Sequence, residues 1–254
     1  MSNNFVMLKY GDVLPAVSVA QLLLKRTGAT ISADGIFGQK TLAAVKDFQR
    51  SHSGLGVDGI IGKYTWTRLK HTETLPIIDF IDVFDPDLYS SERRFLQVAG
   101  TSPITIGGMS NGIEQAVTDL LLSSSNVFLV RFHGHGAPGA AGVSDGHGDI
   151  SSRSTFENNP ETMAAMRRLK PLFGKYGCVQ FMHCQTGRGA TGRTFLRKIS
   201  STLNVPVTAA VNDQYGSTLS ETLRFEGRTA TSCPGGNLKS WSNSRIQFPG
   251  MSFQ

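Results

Sequence analysis

The feature that most constrains the fold is a nine-residue motif that occurs twice near the N-terminus. ADGIFGQKT at residues 33–41 recurs as VDGIIGKYT at residues 57–65, 24 residues further along the chain. Each copy contains an Asp-Gly pair, which is typical of a tight turn because glycine adopts positive φ without steric cost. Each copy ends on a threonine, Thr41 or Thr65, that can cap a following helix. The repeat therefore predicts two turn–helix units of the same design.

Helical patterns surround both copies of this motif. Residues 15–28, PAVSVAQLLLKRTG, carry apolar side chains at helical spacing and end on a glycine, as many helices do. A second helical pattern follows Thr41. The whole segment at residues 11–69 resembles a type 1 peptidoglycan-binding domain, which is a small module of three helices. The resemblance implies that residues 1–70 bind cell-wall glycan or stem peptide.

Beyond a short linker at residues 71–76, apolar runs alternate with amphipathic helical patterns as far as residue 213, and the tail, with TLRFEGRTA at residues 222–230, is typical of a closing hairpin. Such alternation is typical of a mostly parallel sheet with helices on both faces. We therefore predict a second domain of the α/β class at residues 77–254. The predicted strands are Ile77–Phe84, Asn126–Phe132, Cys178–Cys184 and Val205–Asp213, and the predicted helices are Gly112–Ser124, Pro160–Gly177 and Gly192–Asn204.

Two of the predicted strands end in reactive side chains. One is followed by His133 and His135, and the other ends at Cys184. Sites in open α/β sheets form at the carboxyl ends of the strands, so an imidazole and a thiol would meet there if the strands are neighbours. That pairing suits nucleophilic catalysis by a thiolate. We expect the next helix N-terminus to lower the thiol pKa, and the glycine-rich turn at residues 185–192 to present N–H groups to an oxyanion.

The residues around the histidines and the cysteine carry a second resemblance. HGAPG at residues 135–139 and HCQTGRGATGRTFLRKI at residues 183–199 are similar to the caspase-like (clan CD) cysteine peptidases, closest to a bacterial branch. The resemblance implies a caspase-like α/β sandwich with Cys184 as nucleophile and His135 as general acid/base. It also implies an oxyanion-hole N–H from Gly136 and no metal or cofactor. His133 remains a candidate to orient the dyad or the substrate.

Three acidic residues are candidates for a substrate pocket. Asp145, Asp149 and Asp213 are predicted to line a pocket beside the dyad. Such a pocket would select lysine, arginine or an amino-bearing stem peptide.

Two other interpretations compete with a cysteine hydrolase. His133, His135 and His147 lie close together in the sequence, and zinc enzymes use three protein ligands with one open position. A zinc-dependent peptidoglycan amidase or peptidase is therefore one alternative. A non-catalytic wall-binding protein is the other.

Composition narrows the partners and the location. The net charge is +6 with scattered basic residues, which argues against nucleic acid, and three cysteines argue against a disulfide scaffold. No apolar run approaches the length of a membrane span, and the N-terminus lacks a Sec signal pattern. We expect synthesis in the cytoplasm, then action at the periplasm or wall after specialised secretion or lysis. An antibacterial effector toxin or a lytic enzyme fits, with peptidoglycan or an envelope protein as substrate.

Overall fold

The computed structural model describes residues 5–82, 86–107, 112–144, 153–156 and 159–245. The chain forms two compact units. Within the described residues, the helical unit contains residues 5–75 and 235–245, and the sheet unit lies within residues 76–234. The helices of the first unit are α1 (Pro15–Arg26), α2 (Gln39–Arg50) and α3 (Lys63–Lys70).

A buried glutamine clasp holds the first copy of the repeated motif. The Gln21 Nε2 atom on α1 lies 2.9 Å from Asp34 Oδ1, 3.0 Å from the Ile36 carbonyl and 3.0 Å from Thr41 Oγ1. The Gln21 Oε1 atom accepts a hydrogen bond of 2.9 Å from the Gly35 N–H. One side chain thus fixes the turn and the first turn of α2 together.

The second copy repeats the clasp around Gln49 on α2. Its Nε2 atom lies 2.8 Å from Asp58 Oδ1, 2.9 Å from the Ile60 carbonyl and 3.2 Å from Thr65 Oγ1. Its Oε1 atom accepts a hydrogen bond of 2.8 Å from the Gly59 N–H. The two copies are therefore related by the same set of contacts as well as by sequence.

The expected roles of the motif residues are partly confirmed. Gly35 and Gly59 both have φ of 77°, as an Asp-Gly turn requires. The expected threonine caps were wrong, because the helices begin after N-cap glycines without a side-chain cap. Thr41 and Thr65 lie inside the helices and are buried, where their hydroxyls serve the clasps.

The sheet unit contains nine strands and five α-helices within the described residues. The strands are β1 (Ile77–Asp82), β2 (Ile104–Ile106), β3 (Val127–His133), β4 (Gly136–Ala137), β5 (Ala140–Ser144), β6 (Arg153–Thr155), β7 (Phe173–Phe181), β8 (Val207–Ala210) and β9 (Thr229–Ser232). The helices are α4 (Pro86–Val98), α5 (Ile113–Ser123), α6 (Pro160–Arg168), α7 (Gly189–Leu203) and α8 (Leu219–Leu223).

Six of the strands form the main sheet in the order β2-β1-β3-β7-β8-β9. All neighbours are parallel except β9, which runs antiparallel to β8. The other three strands form a small antiparallel sheet. The expected α/β class with a mostly parallel sheet is confirmed.

The two faces of the main sheet differ in chemistry. On one face Phe80, Phe132 and Phe181 stack across β1, β3 and β7, with ring centroids 5.0 and 5.3 Å apart. The other face carries a polar row in register across the sheet. Asp79 pairs with Arg131, Arg131 with Gln180 and Gln180 with Thr208.

The C-terminal part of the chain differs from the expected domain boundary. We expected residues 77–254 to form one domain, but α9 (Leu238–Asn243) packs on α1 in the helical unit. Its Leu238 and Trp241 side chains are buried. Burial of these two apolar side chains provides the physical reason for the segment's position.

Candidate functional site

The histidine-bearing and cysteine-bearing strands are neighbours in the main sheet. β3 and β7 run parallel with Phe132 paired to Phe181. The Met182 N–H continues the pairing with a hydrogen bond of 2.8 Å to the Phe132 carbonyl. Their carboxyl ends therefore meet at one edge of the sheet, as the sequence interpretation requires.

The segment after β3 packs directly on the backbone of Cys184. A Cβ atom placed on Gly136 would lie 2.7 Å from His183 Cβ and 2.9 Å from the Cys184 carbonyl oxygen. The Thr186 hydroxyl donates to the Ala140 carbonyl at 2.8 Å. These contacts fix the β4–β5 hairpin, and with it the His135–Gly136 peptide, against the chain around Cys184. His135 immediately precedes Gly136 in the chain, and its side chain is exposed.

His133 belongs to a buried network of charged side chains. Its Nε2 atom lies 3.4 Å from Asp79 Oδ1, and its Nδ1 atom lies 3.7 Å from Glu92 Oε2. Arg131 binds the same aspartate through two contacts of 2.5 and 3.1 Å. All of these side chains except Glu92, at 7% exposure, are fully buried. The two histidines of HGHG therefore occupy different surroundings.

The charges in this network shift two pKa values. Burial alone would raise the pKa of Asp79, but the Arg131 guanidinium and the His133 ring hold it well below its usual range. Burial alone would lower the pKa of His133, but the hydrogen bond with Asp79 and the charges of Asp79 and Glu92 raise it. The network thus favours an ionised aspartate and a protonated imidazole.

His183 is a third histidine at this edge. Its Nε2 atom lies 3.0 Å from the Gly142 carbonyl, to which it donates, and its ring contacts Phe181. Burial, with smaller contributions from His133 and His135, lowers its pKa to about 4. His183 is therefore neutral at physiological pH and supports the hairpin that follows His135.

The Cys184 thiol lies in acidic surroundings. Its Sγ atom is 3.3 Å from both the carbonyl and the N–H of Gln214. Burial raises the pKa of the thiol, the Gln214 N–H opposes the rise, and the carboxylates of Asp213, Glu226 and Glu92 add to it. The expected lowering of the thiol pKa was therefore wrong.

The glycine-rich turn after Cys184 separates the thiol from the N-terminus of α7, which we expected to lower the thiol pKa. Gln185 adopts a positive φ of 53° and its N–H bonds to Asn212. The Gly187 and Arg188 N–H groups are also used in backbone hydrogen bonds. These three amides are therefore not directed at an oxyanion, contrary to expectation. α7 begins only at Gly189, several residues beyond the thiol.

The predicted pocket residues are only partly covered by the described structure. Asp213 lies beside Cys184 and accepts a hydrogen bond of 2.8 Å from the Gln185 side chain. Asp145, His147 and Asp149 lie outside the described residues. Sequence reasoning missed Glu92 and Glu226, which come from other elements and carry no local motif.

Neither a metal cluster nor a membrane span is found in the described part of the chain. Within those residues, no group of three or more His, Cys, Asp or Glu side chains is arranged to hold a metal ion. His147 falls outside them, so the three-histidine zinc interpretation stays a hypothesis. No described helix is long and apolar enough to cross a membrane.

Comparisons with known proteins bear on the helical unit. Residues 14–69 match the model of a family described as a putative peptidoglycan binding domain. An uncharacterised protein from the bpoA1 3' region of Kitasatospora aureofaciens is 43% identical over 72 residues, which is 28% of this chain and 60% of that protein. The chain thus spans about 60% of the length of that curated relative. No solved structure matches the chain.

The family match concerns residues 14–69 alone, the segment that carries both glutamine clasps. The similarity of this segment to peptidoglycan-binding domains supports association with the cell wall.

Proposed function

We propose that the protein is a wall-directed cysteine hydrolase of the caspase-like type, with Cys184 as nucleophile and His135 as general acid/base. The observation that carries the proposal is the close packing of Gly136, the residue after His135, on the Cys184 carbonyl oxygen. The ends of β3 and β7, which precede His135 and Cys184, lie side by side in the sheet. The mostly parallel main sheet belongs to the α/β class that the resemblance implies.

The proposed reaction uses the thiol in two steps. His135 takes the proton from Cys184, and the thiolate attacks the carbonyl carbon of an amide. The C–N bond breaks as the imidazolium protonates the leaving amine, which leaves a thioester on Cys184. Water, deprotonated by the same imidazole, then attacks the thioester, releases a carboxylic acid and restores the thiol. The N–H groups of Gly136 and Cys184 are the proposed donors to the oxyanion.

Because the pKa of the Cys184 thiol is raised, the proposed reaction needs a base that removes the thiol proton. A thiol with a raised pKa is protonated at neutral pH, so the enzyme needs a histidine to deprotonate it during attack. His135 suits this role better than His133, because His133 is fully buried between Asp79 and Glu92. We assign His133 to positioning the segment that carries His135.

The acidic surroundings of Cys184 indicate a cationic group on the substrate. The charge of the nearly buried Glu92 faces His133. Asp213 is exposed and Glu226 is half-buried, and both carboxylates act on the thiol electrostatically. A lysine, an arginine or an amino-bearing wall peptide would neutralise part of this charge on binding. Peptidoglycan stem peptide is therefore the proposed substrate, with a basic envelope protein as the alternative. The wall-binding module would raise the local concentration of the enzyme there, after delivery by secretion or lysis.

A digest of purified peptidoglycan tests the proposal. Wild type, Cys184→Ala, His135→Ala and His133→Ala are incubated with sacculi, with and without EDTA, and the soluble fragments are measured by mass spectrometry. We expect fragments that survive EDTA, that are lost in Cys184→Ala and His135→Ala, and that persist at reduced rate in His133→Ala. Fragments abolished by EDTA but retained in Cys184→Ala would support the zinc interpretation and overturn this one.

A non-catalytic wall-binding protein is the second candidate, because a thiol with a raised pKa is a weak nucleophile at neutral pH if no base deprotonates it. In that case the sacculi would remain chemically unchanged while the protein still pellets with them. A panel of basic peptides and envelope proteins, incubated under the same conditions, separates this outcome from hydrolysis of a protein substrate.

A further inference from the structure

The helical unit contains a groove that the glutamine clasps do not explain. It has a volume of about 810 Å³ and lies between the loop after α1 and the outer surface of α2. The small side chains of Ala43 and Ala44 line it, with Phe48 and His52 at one end. This volume is in the range of ordinary small-ligand sites.

The internal repeat shows that the small residues are specific to one copy. Thr41 and Thr65 make equivalent contacts in the two clasps, so residues 24 apart occupy equivalent helix positions. Ala43 and Ala44 on α2 therefore correspond to Thr67 and Arg68 on α3. The clasp is kept in both copies, whereas only α2 carries two alanines on this surface. The small side chains at these two positions of α2 leave room for the groove, and the equivalent positions of α3 carry larger side chains.

The imidazole ring of His52 is held in place at one end of the groove. The Phe48 and His52 rings are 4.1 Å apart with a 33° tilt. The His52 Nδ1 atom lies 2.8 Å from the Phe48 carbonyl, which holds the ring in place. A held aromatic ring presents a flat apolar surface with a polar edge, and such a surface suits the C–H face of a sugar ring.

The charged residues of the groove favour an anionic group. Asp47 is bound by Arg50 at 2.6 Å, which offsets its charge. Lys40 is exposed on the groove lining and can meet a carboxylate. The net charge of the whole chain, +6, acts in the same direction.

We propose that this groove is where the module binds peptidoglycan, with an N-acetylated amino sugar on the His52 ring and a stem-peptide carboxylate at Lys40. The inference rests on the proposed wall-binding function and adds its binding site. We therefore expect the groove to bind a fragment that contains both the sugar and the attached peptide more tightly than it binds the sugar alone or the peptide alone.

Pelleting of the full chain with purified sacculi tests the groove. All variants carry Cys184→Ala so that the wall stays intact. Ala44→Arg places in the groove the residue found at the equivalent α3 position, and arginine keeps a high helix propensity. Thr67→Arg adds the same residue to the exposed surface of α3 as a matched control. We expect Ala44→Arg to weaken binding at least about ten-fold, a loss of about 1.4 kcal/mol, and Thr67→Arg to leave it unchanged.

A second pair of variants covers the case in which Ala44→Arg fails to fold. Lys40→Gln removes the groove cation, and Lys25→Gln removes an exposed lysine that does not line the groove. We expect weaker binding only for Lys40→Gln. Soluble disaccharide–tetrapeptide should compete with sacculi at least ten times better than the peptide-free disaccharide.

The outcomes separate this inference from the function on which it rests. If the parent chain does not pellet, wall binding itself is wrong. If it pellets and both groove variants bind as well as their controls, wall binding stands and the groove assignment is overturned. Equal competition by the peptide-free disaccharide would overturn the assignment of the peptide carboxylate to Lys40.

Discussion

Replacing Asp79 with asparagine is the sharpest test of the charge network beneath the candidate site. Asp79 and Arg131 are both fully buried and share contacts of 2.5 and 3.1 Å. The substitution keeps the size of the side chain and removes its charge, which leaves the guanidinium without its main partner. Removing one member of a buried ion pair costs about 3–5 kcal/mol. That is a large part of the ~5–15 kcal/mol that stabilises a typical domain.

Urea unfolding at pH 7, followed by far-UV circular dichroism, measures the loss. Both tryptophans, Trp66 and Trp241, lie in the helical unit, so tryptophan fluorescence reports that unit separately. Asp119→Asn makes the same chemical change at an exposed position of α5, where we expect less than about 0.5 kcal/mol. Asp79→Asn should shift the circular dichroism transition far more than the fluorescence transition.

The pH dependence of this loss has a definite sign. The pKa of Asp79 is lowered in the folded protein. Its charge therefore contributes stability above the ordinary carboxyl pKa of 3.8, and that contribution is lost as the pH falls toward the lower folded value. The difference between wild type and Asp79→Asn should shrink below pH 4. It should also fall as the pH rises through the raised folded pKa of His133, because the contact of the protonated imidazole with Asp79 is then lost. A cost below about 1 kcal/mol at pH 7, or one equal to that of Asp119→Asn, would refute the reasoning.

Three further predictions concern the Gln49 clasp, the packing of Gly136 on Cys184 and the reactivity of the Cys184 thiol. Gln49→Leu leaves buried polar groups without partners and should cost the helical unit about 2–4 kcal/mol, read from tryptophan fluorescence in urea. Gly136→Ala should reduce peptidoglycan digestion at least about ten-fold without loss of secondary structure. Gly134→Ala is the control and should reduce digestion less, because its Cβ would come no closer than 3.1 Å to its nearest neighbour, His183 Nε2. Asp213→Asn removes a carboxylate that raises the pKa of Cys184, so iodoacetamide should alkylate that thiol about 2–5 times faster at pH 7.5 in low salt; an unchanged rate would contradict this electrostatic assignment.

The sequence predicted those features that depend on local pattern. The doubled Asp-Gly motif indicated two equivalent turns, and the glycines of both take the expected positive φ. Alternating apolar runs indicated a parallel sheet, and the ends of β3 and β7 meet as the site required. Periodicity and turn chemistry are properties of neighbouring residues, which a single sequence displays directly.

The features that sequence reasoning missed depend on distant partners. Gln21 and Gln49 are polar residues on otherwise apolar helix faces, and only the fold shows the turns that they bind. Glu92 reaches His133 from α4, a helix that we did not predict. Glu226 approaches Cys184 from a segment far along the chain. The thiol pKa was mispredicted for the same reason, since burial and remote carboxylates set it.

Mass spectrometry of the peptide that contains Cys184, taken during turnover, tests most directly whether Cys184 is the nucleophile. Wild-type protein is mixed with sacculi, quenched in acid after short intervals and digested, and the peptide that contains Cys184 is weighed. We expect this peptide to gain a hydroxylamine-labile adduct with the mass of the acyl half of the cleaved bond. Wall fragments that accumulate while this peptide stays unmodified, and that are also released by Cys184→Ala, would contradict the account.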